Sequence, residues 1–196
     1  MKTSLTAAVL LALISSAAVA QTTAPGPWLV RARAVHLESA NNDATPLALS
    51  INNKWLPELD ISYFFSPNVA AELVLTVPQK QTLSAGGKAI GDFKHLPPSL
   101  TLQYHVPLTS FKPYVGAGIN YTRLSSVNLP AGVDVKRNSF GPVLQVGVDI
   151  PVGKNLYLNF DLKKVYLKTD VSLNGAGLGN FKINPLLIGV GLGWRF

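Results

Sequence analysis

Six charged residues recur on one side of the chain's alternating segments, and they are the first candidates for chemistry. They comprise three cations and three carboxylates: Arg31, Arg33, Asp60, Glu72, Asp149 and Arg195. Each falls near the same end of its segment. Because an isolated buried charge is costly, we expect these side chains to pair as a balanced salt-bridge layer. The sequence favours a structural plug over an ion filter as the role of this layer and leaves both open.

Histidine, serine and carboxylate residues do not form a recognisable catalytic pattern. None of the three histidines, His36, His95 and His105, has a serine partner and an orienting carboxylate at triad spacing. The chain has no cysteine and no pair of histidines at ligand spacing, so a metal site is not expected. We therefore expect a protein that is not an enzyme and that carries no cofactor.

The elements that must position the charges are β-strands. Apolar and polar residues alternate in segments of about ten residues separated by turn residues, as in transmembrane barrels. The last segment is the clearest, and its apolar side carries Leu186, Ile188, Val190, Leu192, Trp194 and Phe196. Eight such segments can be found, an even number, as a single-chain barrel requires. The sequence predicts an all-β fold, an eight-stranded antiparallel transmembrane β-barrel; a soluble barrel with an apolar core is the alternative.

The connections between the predicted strands alternate in length. Short turns are expected at 66–68, 107–112 and 151–154, and long loops at 39–53, 78–94, 124–138 and 169–181. Short turns face the periplasm in such barrels and longer loops lie outside the cell. Both chain ends of the barrel are then periplasmic.

The first twenty residues have the features of an export signal. Lys2 supplies the positive start, an apolar stretch follows, and Ala18-Val19-Ala20 matches a cleavage site before Gln21. The predicted organisation is a signal peptide at 1–20 and a barrel at 21–196, in the outer membrane. No apolar run in 21–196 approaches the roughly 20 residues of a spanning helix.

The formal charge of +7 comes from scattered lysines and arginines, with no basic stripe. We therefore expect no nucleic-acid partner and assign these cations to the lumen and to loops that face lipopolysaccharide and outer-membrane lipid. Trp194 and the terminal Phe196 resemble the end segment that the outer-membrane assembly machinery recognises, which makes that machinery an expected partner.

Four segments resemble the OmpW family of small outer-membrane barrels, which includes AlkL-like proteins. They are His95–Leu100, Lys112–Thr122, Gln145–Asp149 and Gly193–Phe196, in the family's order. The resemblance implies an eight-stranded barrel with a narrow lumen that passes small, often hydrophobic, molecules. The sequence departs from the family pattern at Asp161 and Lys163, which place charge on the inward face of the seventh strand. The route proposed for the family is lined by apolar side chains.

Prolines near the outer loops suggest where such a molecule would leave. Pro97 and Pro98 remove two ladder donors from the fourth strand. If the charge layer closes the periplasmic half, release must be lateral, through the barrel wall. The predicted ligand path comprises Trp55, Leu56, Phe93, Leu96, Pro97 and Pro98. The alternative is a structural or surface-interaction barrel with a sealed lumen, which binds lipopolysaccharide, host surfaces, phage or bacteriocins.

Overall fold

The computed structural model describes residues 26–108 and 110–196. The predicted signal peptide at 1–20 lies outside these residues. In the described part of the chain, no helix is long and apolar enough to cross a membrane.

Strands dominate the described residues. In chain order they are β1 (Trp28–Glu38), β2 (Asn42–Asp43), β3 (Leu49–Ile51), β4 (Lys54–Phe64), β5 (Val69–Thr76), β6 (Gln79–Ala85), β7 (Lys88–Leu96), β8 (Ser99–His105), β9 (Lys112–Asn128), β10 (Val133–Val135), β11 (Asn138–Pro151), β12 (Leu156–Val165), β13 (Lys168–Leu173), β14 (Ala176–Lys182) and β15 (Leu186–Arg195).

Eight of these strands close into an antiparallel barrel, as the sequence predicts. Around the barrel the order is β1, β4, β5, β8, β9, β11, β12 and β15, and β15 pairs with β1. At the seam the backbone amide of Trp28 donates to the Phe196 carbonyl, and the Phe196 amide donates to the Trp28 carbonyl. Closure satisfies the backbone groups that an open sheet edge would expose to lipid.

Side chains along each barrel strand alternate between an exposed apolar face and a buried polar one. On β8, for example, Leu100, Leu102 and Tyr104 are exposed, whereas Thr101 and Gln103 are buried. This is the reverse of a soluble barrel, where apolar side chains fill the interior. The prediction of a transmembrane barrel is therefore confirmed.

The predicted long loops are largely strands that extend beyond the membrane-spanning wall. The segment 78–94 forms most of the β6–β7 hairpin, and a second sheet contains β10, β13, β14 and β2. The prediction of loops failed here because these strands carry polar residues outward, such as Lys80 and Thr82, and so lack the lipid-facing apolar side. Their inward side chains, including Leu83, still alternate with period two.

Candidate substrate cavity above a charged plug

Arg31 is the centre of a buried ion network in the periplasmic half of the barrel. Its guanidinium lies 2.9 Å from Asp60 Oδ1, 3.0 Å from Glu72 Oε2 and 2.8 Å from Asp149 Oδ2. It also donates to Ser62 Oγ at 3.0 Å. Because these partners come from β4, β5 and β11, the fully buried Arg31 ties β1 to three other strands.

Arg33 and Lys163 extend the network upward, towards the outer end of the barrel. Arg33 contacts Asp60 and lies 2.8 Å from Glu72 Oε2 and 2.9 Å from Asp161 Oδ1. Lys163 Nζ lies 2.7 Å from Glu58 Oε1 and 2.8 Å from Asp161 Oδ1. We call the eight charged residues of this network the plug: Arg31, Arg33, Glu58, Asp60, Glu72, Asp149, Asp161 and Lys163.

Five of the six residues predicted to form the charge layer lie together in the plug, and the prediction for the sixth, Arg195, is wrong. Arg195 lies outside the plug: its guanidinium carbon sits 3.8 Å from the centre of the Phe64 ring, and its Nε donates to the Gly26 carbonyl at 2.9 Å. The expected balance of three cations and three anions is also wrong, since Glu58, Asp161 and Lys163 join. Tilted, staggered barrel strands bring these residues to the level of Arg33, and alternation alone does not give that stagger.

Uncharged side chains fill the space around the plug. Gln145 Nε2 donates to Glu72 Oε1 at 2.9 Å and to Asp161 Oδ2 at 2.7 Å, and Tyr114 donates to Asp161 Oδ2 at 2.7 Å. Gly147 makes room for Tyr114, because a Cβ on this glycine would lie 2.4 Å from the tyrosine Cζ. The lower lumen is therefore packed with side chains, as an interior of eight strands permits.

An apolar cavity lies above the plug, in the outer half of the barrel. Its empty space and the open solvent that adjoins it together amount to about 700 Å³, so the enclosed part is smaller. Its apolar wall includes Leu37, Ile51, Leu56, Phe93, Leu124, Val165, Leu167 and Ile183. Glu58 and Lys163 line it as well, so the top of the plug is the floor of the cavity.

The predicted path residues divide between the cavity and the outer surface. Leu56, Phe93 and Pro97 line the cavity. Pro98 lines a groove on the outside of the wall, together with Leu73, Leu100, Ile119 and Tyr121. Trp55 lies on the outer face of β4 and is 60% exposed, and Leu96 is half-buried and outside both linings. Sequence reasoning missed Ile51 and Leu124 because both fall in segments predicted as loops.

The barrel wall has a gap beside this cavity. The β5–β8 ladder ends at the pair Val74 and Ser99, and the β6–β7 ladder begins at Gln79 and His95. Between them, among the residues that the structure describes, no strand pairing joins 75–78 to 96–98. Proline lacks the amide that would continue the ladder. We call this interruption the wall gap.

The wall gap lies between residues that line the cavity and residues that line the outer groove. Thr76 and Pro97, one from each rim, line the cavity, and Ser99 borders both the cavity and the outer groove. The Pro97 and Pro98 carbonyls accept hydrogen bonds from Asn120 Nδ2, at 3.2 and 3.1 Å, and the Pro98 carbonyl also accepts one from the Tyr121 amide, so both carbonyls bond to β9 and not across the gap.

The outward residues place the wall gap at the outer edge of the apolar belt. Below it, Leu73, Leu75 and Val77 are exposed on β5 and just after it. Above it, Lys80 and Lys94 are exposed on β6 and β7. The β6–β7 hairpin therefore lies beyond the hydrocarbon region.

His95 lies in this hairpin and lines the cavity. Burial lowers the pKa of its imidazole from 6.5 to about 4, and the nearby Lys54 ammonium lowers this pKa as well. The side chain is therefore neutral at neutral pH, so the upper wall of the cavity carries no charge at this residue.

Comparison with known proteins identifies the architecture. The profile of the OmpW family matches residues 26–196. The chain belongs to the OmpW family. A relative in Sinorhizobium fredii, the uncharacterized outer-membrane protein y4mB, is 42% identical over 184 residues, which are 87% of this chain and 80% of that protein. This OmpW-family chain is thus an outer-membrane β-barrel, and the predicted family, fold class and location are confirmed.

Two further likenesses support the assignment. The dibenzothiophene metabolism operon protein PahQ of Pseudomonas aeruginosa is 33% identical over 172 residues, 81% of this chain and 73% of that protein. The crystal structure of OprG from Pseudomonas aeruginosa superposes with a TM-score of 0.72 at 23% identity, covering 88% of this chain and 96% of that one. At this identity the structural likeness shows the shared fold alone.

Proposed function

We propose that this OmpW-family barrel takes up small hydrophobic molecules, which enter the apolar cavity from outside and leave sideways through the wall gap into the membrane. One observation carries the proposal. The cavity is floored by buried ion pairs and reaches the wall at Thr76 and Pro97.

Energetics favour the lateral route over an axial one. Axial passage would have to separate buried pairs such as Arg31–Asp149, and removing one partner from a buried pair costs roughly 3–5 kcal/mol. Lateral release separates no ion pair, because the rims of the wall gap are Thr76, Val77, Pro97 and Pro98. An apolar ligand gains about 25 cal/mol for each Å² of apolar surface that it buries in the cavity.

A relative's name agrees with this class of ligand. PahQ is named for a dibenzothiophene metabolism operon, and dibenzothiophene is an apolar aromatic compound. This supports apolar aromatic compounds as the first ligands to test.

The test restores the missing ladder. Replacing Pro97 by Ser supplies a backbone amide opposite Thr76, and replacing Pro98 by Val supplies one on the β9 side, where the Tyr121 amide already donates to the Pro98 carbonyl. The readout is the entry of the apolar dye N-phenylnaphthylamine into Gram-negative cells whose own OmpW-family barrels are deleted. We expect the double variant to lower dye entry towards that of cells without the protein.

The matched control is Pro142→Val in β11, which supplies one amide in a part of the wall that does not touch the gap. This control should keep full dye entry. Normal entry in the double variant, with the folded barrel present in the outer membrane, would overturn lateral release.

A second candidate function is interaction with lipopolysaccharide at the outer surface. Lys94 and Arg123 are exposed on the neighbouring strands β7 and β9, above the aromatic pair Tyr121 and Phe140. Cations at this level face the phosphates of the outer leaflet. Added lipopolysaccharide should stabilise the wild-type barrel against heat more than the variant with Lys94→Gln and Arg123→Gln; equal stabilisation would argue against this surface.

A further inference from the structure

An unpaired polar atom lies in the otherwise apolar upper cavity. Gln81, on β6, lines the cavity and is 1% exposed. Its Oε1 has no hydrogen-bond partner among the described residues. A buried acceptor without a hydrogen-bond partner costs about 1–3 kcal/mol of folding free energy. A bound group that donates a hydrogen bond to it would remove this cost.

The other polar side chains of the cavity are already paired. Asn120 Nδ2 donates to Ser99 Oγ at 3.0 Å, and Thr122 donates to Asn120 Oδ1 at 2.6 Å. Glu58 and Lys163 form the ion pair of the floor. Among the fully buried side-chain nitrogen and oxygen atoms of the cavity lining, Gln81 Oε1 is the one that lacks a hydrogen-bond partner in the described residues.

His95 lies beside this amide. Gln81 Nε2 lies 3.5 Å from His95 Nε2, and a neutral imidazole can accept that contact. The Gln81 Oε1 is then left for a ligand. Both residues sit next to the wall gap, since Gln81 follows Pro78 by three positions and His95 precedes Pro97 by two.

We propose that the cavity selects neutral apolar molecules that carry one hydroxyl or N–H group, and that Gln81 and His95 bind this group at the upper rim of the wall gap. The hydroxyl donates to Gln81 Oε1, while the apolar body packs against Phe93, Leu56 and the rest of the apolar wall. A hydroxyl also accepts hydrogen bonds, so it satisfies either orientation of the amide.

Among the described residues, the cavity has no free charge that could bind a charged ligand. The cavity's one ammonium, Lys163 on β12, already has Glu58 and Asp161 as partners, so it offers no unpaired charge to a carboxylate ligand. A phenol or an alcohol fits the free acceptor without bringing a charge into the cavity. The inference rests on the proposed function, because it names the class of molecule that enters the same cavity.

The test compares naphthalene with naphthol, which differ by one hydroxyl. Each is equilibrated by dialysis with the barrel in lipid nanodiscs, and binding to empty nanodiscs is subtracted. We expect the wild-type protein to bind naphthol about tenfold more tightly, the size of one net hydrogen bond. Gln81→Leu should reduce this preference to about twofold or less, while naphthalene binds at least as well as before.

Gln79→Leu is the matched control, because Gln79 is buried on the same strand but donates to the Val77 carbonyl and does not line the cavity. It should keep the preference for naphthol. Equal wild-type binding of the two compounds, or a preference that survives Gln81→Leu, would overturn the inference and leave hydrophobic uptake standing. Binding of neither compound would overturn both. The wild-type comparison decides the matter even if Gln81→Leu does not fold.

Discussion

The Lys163 ammonium lies 2.7 Å from the Glu58 carboxylate, and this ion pair forms the top of the plug and the floor of the cavity. On its lower side Lys163 also contacts Asp161, which joins the pair to Arg33 and the deeper charges. On its upper side it faces apolar side chains. One contact thus belongs both to the plug and to the floor of the cavity.

Loss of the lysine charge should destabilise the barrel. Lys163→Met leaves Glu58 and Asp161 with one cation fewer in a buried setting, which costs roughly 3–5 kcal/mol. The free energy of unfolding, measured by urea titration in lipid vesicles, should fall by that amount. Lys80→Met, which removes an exposed partner of Asp92, should cost no more than about 1 kcal/mol. Equal costs for the two variants would argue against the plug.

The residue Gly147 makes room for the packing of Tyr114 beside the plug. In Gly147→Ala the new Cβ would lie 2.4 Å from Tyr114 Cζ, which forces the ring away from Asp161. Such overpacking costs about 1–3 kcal/mol. Gly153→Ala is the control, since its Cβ would have Leu156 Cβ at 3.4 Å as its nearest contact. Urea unfolding should separate the two variants, and a Gly147→Ala barrel as stable as the control would contradict this packing.

His95 should make the stability depend on pH in a defined window. Its folded pKa of about 4 is below the ordinary 6.5, so the folded state favours the neutral imidazole. Above pH 6.5 the imidazole is neutral in both the folded and the unfolded state, so it does not lower the free energy of unfolding. As the pH drops from 6.5 to 4, this free energy falls by up to about 3 kcal/mol, because only the unfolded state readily takes up the proton. The groups that face His95 are Lys54, whose ammonium lowers this pKa, and the paired Glu58 and Lys163 across the cavity.

The pH measurement uses the difference between two proteins, because carboxylates elsewhere also titrate. The stability of the wild type minus that of His95→Gln should decrease between pH 6.5 and pH 4. A difference that stays constant over this range would show that the histidine is not held neutral by the fold.

Phe196, which the sequence predicts as part of the assembly signal, should matter more for assembly than for stability. Phe196 is 57% exposed on the lipid side, next to the seam. If the assembly machinery recognises it, Phe196→Ser should lower the amount of barrel inserted in cells while leaving spontaneous refolding in detergent nearly unchanged. Phe65→Ser, 63% exposed at the same end of the barrel, is the control and should insert normally. Equal insertion of the two variants would remove the assembly signal.

The sequence predicts the membrane-spanning wall well because lipid imposes a strict alternation. On β15, for example, Ile188, Val190 and Leu192 face lipid, as predicted. The same pattern also assigns Arg31 and Arg33 to the interior. Alternation does not give the stagger between neighbouring strands. For this reason the sequence did not predict that Arg33 contacts Asp161 or that Arg195 stacks on Phe64.

The cavity was harder to predict than the plug. The missed residues Ile51 and Leu124 lie in parts of β3 and β9 outside the membrane, where the outward residues are polar and therefore resemble loops. Pro97 and Pro98 did indicate an interrupted ladder. Gln81 gave no signal in the sequence, because a buried glutamine without a partner is recognised only from its surroundings.

A photoreactive ligand would test the central claim most directly. A naphthol that carries a diazirine is irradiated with the barrel in nanodiscs, and labelled residues are located by mass spectrometry. Only inward-facing residues are compared, so that probe dissolved in lipid does not contribute. We predict labels on Leu56, Phe93 and Thr76, beside the wall gap, and none on Leu29, Phe64 or Tyr157, which form the buried cluster below the plug. Labels on that lower cluster would show passage through the plug and contradict lateral release.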